Sequence, residues 1–134
     1  MIKVMVFGTF DGIHPGHNYL LTQAASMGNL IVIVARDTTV LKVKGRLPVY
    51  NETKRLTEIK KHPAVTEATL GNTGPNKTDI ISSFMPDIIC LGYDQRTFVD
   101  DLKNKLSEKN LDIDIKRIDS YKPHLYKSSK LNKK

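Results

Sequence analysis

The stretch that decides the fold runs from residue 2 to residue 35 and reads IKVMVFGTFDGIHPGHNYLLTQAASMGNLIVIVA. Its two ends, residues 2–7 and 30–35, are short apolar runs, which are typical of strands buried on both faces of a parallel sheet. Between them, Pro15 marks the start of a helix and Gly28 marks its end, because proline favours the first helical position and glycine the position after the last. The stretch therefore predicts a strand, a helix and a second strand, which is the unit of parallel α/β sheets.

The rest of the chain continues this alternation. After a basic loop that ends at Pro48, a helix capped by Asn51 is predicted to end at His62-Pro63. Strands at 65–70, 87–91 and 113–118 alternate with helices at 78–84 and 96–109. The pattern predicts an α/β fold: a Rossmann-like, doubly wound, five-stranded parallel sheet with helices on both faces. Ligands bind such sheets where the strand order reverses, which places the site after strands one and four.

Length and composition indicate the class of protein. The chain has 134 residues, of which 40% are hydrophobic and 26% charged, and this predicts one domain spanning residues 1–134. No apolar run approaches the ~20 residues of a membrane helix, and the first residues do not form a signal peptide. We therefore expect a cytoplasmic protein with no membrane partner. The single cysteine, Cys90, excludes an internal disulfide and a multi-cysteine zinc site.

Two segments hold the whole excess of positive charge, which is +7 at neutral pH. Residues 36–61 contain eight basic and three acidic side chains, and the basic tail, residues 121–134, contains five lysines and no acid. A basic balance permits a nucleic-acid-binding module, which is the alternative from a different class of function. No RNP, KH or zinc-finger pattern is present, so we expect no nucleic-acid partner. Two short basic segments suit the phosphates of a nucleotide better.

The turn after the first strand, from Gly8 to His17, carries the candidate chemistry. Its glycines allow the backbone to turn sharply, and the helix that follows presents N–H groups and a positive dipole end to an anion. His14 and His17 are three residues apart, so both project from one side of the helix start, and Gly16 leaves the space between them open. Such a pair can donate hydrogen bonds to a phosphoryl group. A two-histidine metal site and a simple helix cap are the competing interpretations.

The stretch from Gly8 to His17 resembles the signature of the nucleotidyltransferase superfamily that carries a His-x-Gly-His motif. Residues 34–37, 44–48 and 91–95 are similar to the archaeal-type FAD synthases, which are FMN adenylyltransferases, and the resemblance extends from Lys3 to Lys130. It implies that ATP and FMN are the substrates and that FAD and pyrophosphate are the products. The alternative within this chemistry is a cytidylyltransferase that acts on glycerol 3-phosphate or a related polyol phosphate.

The resemblance also implies a mechanism and its components. The acceptor phosphate attacks the α-phosphorus of the nucleotide directly, with catalysis by positioning and charge stabilisation. His14, His17 and Lys44 are the catalytic residues that it implies, with Lys42 as the alternative lysine. A divalent cation, Mg²⁺, is held mainly by the nucleotide phosphates, so no protein ligands to a metal are expected. The family also implies a homodimer.

Further residues are expected to bind nucleotide or substrate. The nucleotide-binding set is Thr9, Phe10, His14, Gly16, His17, Asp94, Ser128 and Ser129. The phosphate or substrate set is Asp11, Asp37, Lys42, Arg46, Arg55, Tyr93, Tyr121 and Lys122. The two serines lie in the basic tail, which resembles a cytidylyltransferase ending and is expected to form a short helix at the phosphate site. For the aspartates the alternative is a local role, closing a turn or capping a helix.

Overall fold

The computed structural model describes residues 2–71, 79–92 and 96–118, and these residues form five strands and five helices in alternating order. The elements are β1 (Lys3–Gly8), α1 (Pro15–Ala25), β2 (Asn29–Val34), α2 (Asp37–Lys44), α3 (Glu52–Lys60), β3 (Glu67–Leu70), α4 (Asp79–Phe84), β4 (Ile88–Leu91), α5 (Arg96–Glu108) and β5 (Asp114–Arg117). Most of the predicted strands and helices are therefore found, with ends that differ by no more than two residues.

All strand pairs in the sheet are parallel, and the strand order is β3-β2-β1-β4-β5. The central strand β1 pairs with β2 along its whole length, from Lys3 opposite Asn29 to Gly8 opposite Val34. On its other side β1 pairs with β4, so the strand order reverses between these two strands. The predicted Rossmann-like, five-stranded parallel sheet is confirmed, and its topology directs a ligand to the carboxyl end of β1.

The core is divided between the two faces of the sheet. Val4 and Val6 of β1 lie on one face, and Met5 lies on the other, because successive side chains of a strand alternate. Helices α1 and α3 cover the first face, whereas α4 and α5 cover the second. Their buried contributions are Leu21, Ala24 and Ile59 on the first face and Ile81, Leu102 and Leu106 on the second. The doubly wound arrangement is therefore confirmed.

Helix α2 is absent from the sequence-based prediction, which placed a basic loop between β2 and Pro48. Residues 37–44 are helical, and Val40 is buried beneath the helix. The helix ends at Gly45, whose φ of 76° lies in the left-handed region that glycine adopts at little cost. Lys42 and Lys44 occupy the last turn, where their charges interact favourably with the negative end of the helix dipole. Residues 37–44 of the basic segment are thus helical.

Several predictions concern residues outside the described part of the chain. The basic tail and its helix after Tyr126 are among them, so their structure stays a prediction, as does the single domain of residues 1–134. Among residues 2–71, 79–92 and 96–118, no helix is both long enough and apolar enough to span a bilayer.

Candidate active site

The chain turns sharply at the carboxyl end of β1, and Phe10 makes that turn possible. Its φ of 54° lies in the left-handed region, which costs a non-glycine residue of order 1 kcal/mol. Burial of its ring in the core beneath α1 offsets that cost. The N–H of Gly12 donates to the carbonyl of Phe10 at 3.0 Å and closes the turn. The edge of the Phe10 ring contacts the His17 ring, with the centroids 5.2 Å apart.

The two histidines are built into the start of α1. His14 is the N-cap residue, and its Nδ1 accepts from the backbone N–H of Gly16 at 3.1 Å and of His17 at 3.3 Å. The two rings stack with centroids 3.5 Å apart and an angle of 22° between their planes. Each ring therefore restricts the rotation of the other. The predicted pairing of His14 and His17 at the carboxyl edge of β1 is present in the structure.

The hydrogen bonds assign the proton positions on both rings. Because Nδ1 of His14 accepts two backbone N–H groups, the neutral ring carries its proton on Nε2. Nδ1 of His17 lies 3.1 Å from the carbonyl of Gly12 and 3.5 Å from the backbone N–H of His14. These two contacts require opposite tautomers, and the shorter one is the stronger hydrogen bond, so Nδ1 of His17 donates to Gly12. His14 therefore offers an N–H donor without being charged, whereas His17 carries a proton on Nε2 only as a cation.

Gly16 leaves room for the His14 ring. A Cβ at position 16 would lie 2.9 Å from Cε1 and 3.1 Å from Nδ1 of His14. Both distances are shorter than side-chain contacts normally are, so a larger residue would displace the ring. The glycine of the His-x-Gly-His motif is thus required by packing within the motif itself.

A cavity of about 70 Å³ opens beside this turn. The end of β1, helix α2 and the loop that follows α2 line it. Its lining residues are Thr9, Asp11, Val40, Lys44, Arg46, Leu47, Pro48 and Val49. Two basic side chains and one carboxylate thus surround a small space at the edge of the sheet where the topology predicts a ligand.

Asp11 fixes the loop that closes the cavity. Its carboxylate accepts from the backbone N–H of Val49 at 2.7 Å and of Tyr50 at 2.8 Å. Burial raises the pKa of Asp11, but these two hydrogen bonds, together with the charges of Arg55 and Lys44, outweigh burial and hold the pKa below its ordinary value. In the described residues Asp11 therefore binds backbone that is 38 and 39 residues away in sequence, and does not close the turn in which it lies.

Arg55 lies beneath the site and ties its parts together. Its side chain is 1% exposed, and its guanidinium donates to the carbonyls of Thr9, Ala35 and Tyr50 at 2.9, 2.6 and 2.9 Å. It also donates to Oδ1 of Asp37 at 2.7 Å. The fork of a guanidinium can satisfy several acceptors at once, as it does here. Both residues of this ion pair, expected above to contact phosphate or substrate, contact protein atoms in this structure.

The structure brings together some of the expected site residues and not others. Thr9, Asp11, Lys44 and Arg46 line one cavity, whereas His14, His17 and Lys42 are not among its lining residues. Six residues lie outside the described part of the chain, and their roles stay predictions: Tyr93, Asp94, Tyr121, Lys122, Ser128 and Ser129.

Sequence reasoning missed the apolar part of the cavity wall. Leu47, Pro48 and Val49 line the cavity, whereas only basic residues of this segment were expected to bind phosphate or substrate. The available signal was the presence of apolar side chains inside a basic, proline-containing loop, where solvent exposure normally favours polar residues.

Within the described ranges, no three His, Cys, Asp or Glu side chains are grouped closely enough to bind a metal ion. Asp11 is the one carboxylate on the cavity wall, and it already accepts two hydrogen bonds. The donor set of the cavity is therefore suited to anions.

Proteins with related sequences and structures are known. A family model described as cytidylyltransferase-like matches residues 5–134. The FAD synthase of Thermoplasma acidophilum is 39% identical over 135 residues, which cover 100% of this chain and 94% of that protein. The FAD synthase of Pyrococcus horikoshii is 40% identical over 130 residues, covering 96% of this chain and 85% of that protein. The crystal structure of the lipopolysaccharide core biosynthesis protein from Thermoplasma volcanium is similar with a TM-score of 0.84 and 36% identity, over 91% of this chain and 99% of that one.

Proposed function

We infer that this chain, which belongs to the cytidylyltransferase-like family, is an enzyme that transfers AMP from ATP to FMN and produces FAD and pyrophosphate. The observation that carries the chemistry is the stacked pair of His14 and His17 at the start of α1. The turn that leads into this helix start also supplies Thr9 and Asp11 to the cavity that Lys44 and Arg46 line. The relatives named FAD synthase, which are 37–40% identical over most of the chain, support FMN as the acceptor.

The reaction is a single in-line displacement. An oxygen of the FMN phosphate forms a bond to the α-phosphorus of ATP, and the bond from that phosphorus to the pyrophosphate oxygen breaks. Negative charge grows on the oxygens of the α-phosphate in the transition state, so donors already aimed at them lower the barrier. His14 supplies such a donor from Nε2, because the helix start occupies its Nδ1. His17, held through Nδ1 by the carbonyl of Gly12, adds a second donor when it is charged.

The basic side chains neutralise phosphate charge before and during transfer. Lys44 lines the cavity and stands in the last turn of α2. Arg46 lines the same cavity from the loop after Gly45. These positions support Lys44, in preference to Lys42, as the lysine that binds phosphate. The side chain of Arg46 is well suited to an oxygen pair because a guanidinium can bind it in a bidentate manner.

We propose Mg²⁺ as the divalent cation of the reaction. Mg²⁺ keeps several water ligands and binds through phosphate oxygens more readily than through dedicated protein cages. The one carboxylate of the cavity, Asp11, is engaged by backbone N–H groups, which supports binding of the cation mainly through the triphosphate. When bound there, the cation neutralises charge on the phosphate oxygens.

A substrate matrix tests the proposed function. The purified protein is incubated with Mg²⁺, with ATP or CTP, and with FMN or glycerol 3-phosphate, and the release of pyrophosphate is measured. Turnover with ATP and FMN is expected. Turnover with CTP and glycerol 3-phosphate, and none with ATP and FMN, would establish the cytidylyltransferase alternative instead. Replacing Mg²⁺ by a chelator should abolish the release of pyrophosphate.

We also propose that the protein is a homodimer in the cytoplasm and that it binds neither nucleic acid nor membranes. Light scattering on the purified protein measures the number of copies. A titration with labelled polynucleotide at physiological salt tests for the nucleic-acid-binding module, whose affinity would fall steeply as salt is raised.

A further inference from the structure

The cavity wall has an exposed apolar part, which we name the apolar lip and define as Leu47, Pro48 and Val49. The side chains of Leu47 and Val49 are 61% and 84% exposed, and both line the cavity that Lys44 and Arg46 also line. Exposed apolar side chains that adjoin a polar cavity are typical of a binding surface, since water solvates them poorly.

The apolar lip is held in this position by its backbone. The N–H of Val49 donates to Asp11, and so does the N–H of the next residue, Tyr50. The Tyr50 carbonyl in turn accepts from buried Arg55. The hydrogen bonds hold the main chain firmly while the side chains of the lip point toward solvent. A loop fixed in this way presents its apolar side chains to a ligand at little entropic cost.

As the described residues form it, the cavity is too small to enclose the whole acceptor of the proposed function. Its volume is about 70 Å³, whereas pockets that enclose a drug-sized molecule have roughly 300 Å³ or more. FMN has an anionic phosphate at one end and a flat, largely apolar three-ring system at the other. The phosphate end suits the small basic cavity, and the ring system has to lie outside it. The surface adjoining the cavity mouth on the loop side is the apolar lip.

We propose that the apolar lip is the surface on which the flavin ring of the acceptor lies, so that Leu47 and Val49 determine specificity for a flavin phosphate over a polyol phosphate. The proposal rests on the proposed function and extends it from the phosphate to the ring. The pairing of basic side chains in the cavity with apolar ones on its rim matches the two chemically different ends of FMN. Glycerol 3-phosphate has no apolar end and would leave the lip uncovered.

The chain offers matched controls for a test of this proposal. Leu41 and Val43 of α2 are also exposed, at 46% and 68%, but they are not among the residues that line the cavity. Leu47→Ser and Val49→Ser are therefore compared with Leu41→Ser and Val43→Ser. Serine retains the backbone N–H from which Asp11 accepts a hydrogen bond, so the loop keeps its hydrogen bonds in every variant.

The experiment measures binding and turnover separately. The Kd of FMN, and of riboflavin as a probe with the ring but without the phosphate, is measured from the change in flavin fluorescence. The KM of ATP and the rate with ATP and FMN are measured from pyrophosphate release. In Leu47→Ser and Val49→Ser the Kd of both flavins should rise about tenfold, the effect of losing one buried apolar contact, with the KM of ATP unchanged. The control variants should stay within about twofold of the wild type.

Other outcomes overturn the proposal and separate its failure from that of the proposed function. If the wild type turns over ATP and FMN while the lip variants bind both flavins normally, the lip is not the ring site and the proposed function stands. If the lip variants change the number of copies in light scattering and the controls do not, the lip is an interface between copies. If the wild type uses only CTP and glycerol 3-phosphate, both proposals are wrong.

Discussion

Replacing Gly16 by alanine should displace the His14 ring while helix α1 stays folded. The added Cβ would lie 2.9 Å from Cε1 of the His14 ring, whereas ordinary contacts begin near 3.4 Å. The ring must therefore move by about 0.5 Å, which is the tolerance within which a reacting group has to be held. It cannot move freely, because it accepts two backbone N–H groups and stacks at 3.5 Å on His17.

The size of the expected effect follows from that displacement. A shift of about 0.5–1 Å at a positioned group lowers the rate about tenfold to a hundredfold, which is about 1.4–2.7 kcal/mol of transition-state stabilisation. Alanine favours a helix interior over glycine by up to about 1 kcal/mol, whereas displacing the His14 ring weakens the N-cap of α1, at a cost of about 0.5–2 kcal/mol. These two effects oppose each other, so Gly16→Ala should be a slower enzyme whose Tm stays close to that of the wild type.

The assay measures kcat/KM with ATP and FMN from pyrophosphate release, and Tm from circular dichroism. Gly71→Ala is the matched control, because a Cβ at Gly71 would lie at the ordinary distance of 3.5 Å from Cγ2 of Ile33. Full activity in Gly16→Ala would refute the argument that the glycine sets the position of His14. An equal loss of activity in both variants would also refute it, since the effect would then not depend on the short contact.

Three further predictions concern the residues around this motif. His14→Ala and His17→Ala should each lower kcat/KM, with a loss of about 2–4 kcal/mol of transition-state stabilisation. His14→Asn keeps a side chain that can cap the helix, so it shows whether a loss of activity comes from misfolding. Near-normal rates in folded variants would contradict the mechanism. Arg55→Ala should lower the free energy of unfolding, measured in urea, by about 3 kcal/mol, because it leaves buried acceptors unpaired. Arg55→Lys should recover only part of that loss. A change below about 1 kcal/mol in Arg55→Ala would contradict the structural role of this side chain. Asp11→Asn should destabilise the protein at pH 7, because an amide oxygen replaces two carboxylate oxygens. Since the pKa of Asp11 is lowered in the folded state, the contribution of its charge is complete above the ordinary value of 3.8 and is lost as pH falls through the folded pKa. The difference between the unfolding free energies of the wild type and Asp11→Asn, measured in urea, should therefore become smaller as the pH falls. A difference that does not change with pH would contradict the stabilising role of the Asp11 charge.

The sheet was predictable because its signals are local. The apolar runs at residues 2–7 and 30–35 are short and bounded by turn-forming residues, which indicates buried strands, and Pro15 marks the start of α1 on its own. Helix α2 was not predictable in this way. Thr38, Thr39, Val40 and Val43 are β-branched and lower the helix signal. What stabilises α2 is tertiary: Val40 is buried, and Glu52, 15 residues away from Asp37 in sequence, accepts the first N–H of the helix.

The same distinction between local and distant contacts applies to the candidate site. His14, Gly16 and His17 interact with one another across a few residues, so their spacing revealed the motif. The acceptors of Arg55 at Thr9 and Ala35 are 46 and 20 residues away. A contact between residues so far apart in sequence leaves no short sequence pattern. From the sequence alone, an arginine near a proposed phosphate site therefore cannot be distinguished from a phosphate ligand.

In the part of the chain that the structure describes, the hydrogen bonds that hold residues 49 and 50 of the loop after α2 involve main-chain atoms of that loop, and this has a consequence for divergence within the family. Asp11 holds two N–H groups and Arg55 holds one carbonyl, and every residue except proline can supply the N–H groups. The side chains at positions 47 and 49 can therefore vary through evolution without loss of these hydrogen bonds. Under the proposed role of the apolar lip, a lineage acquires a new acceptor by changing the rim of the cavity, while His14 and His17 stay as they are.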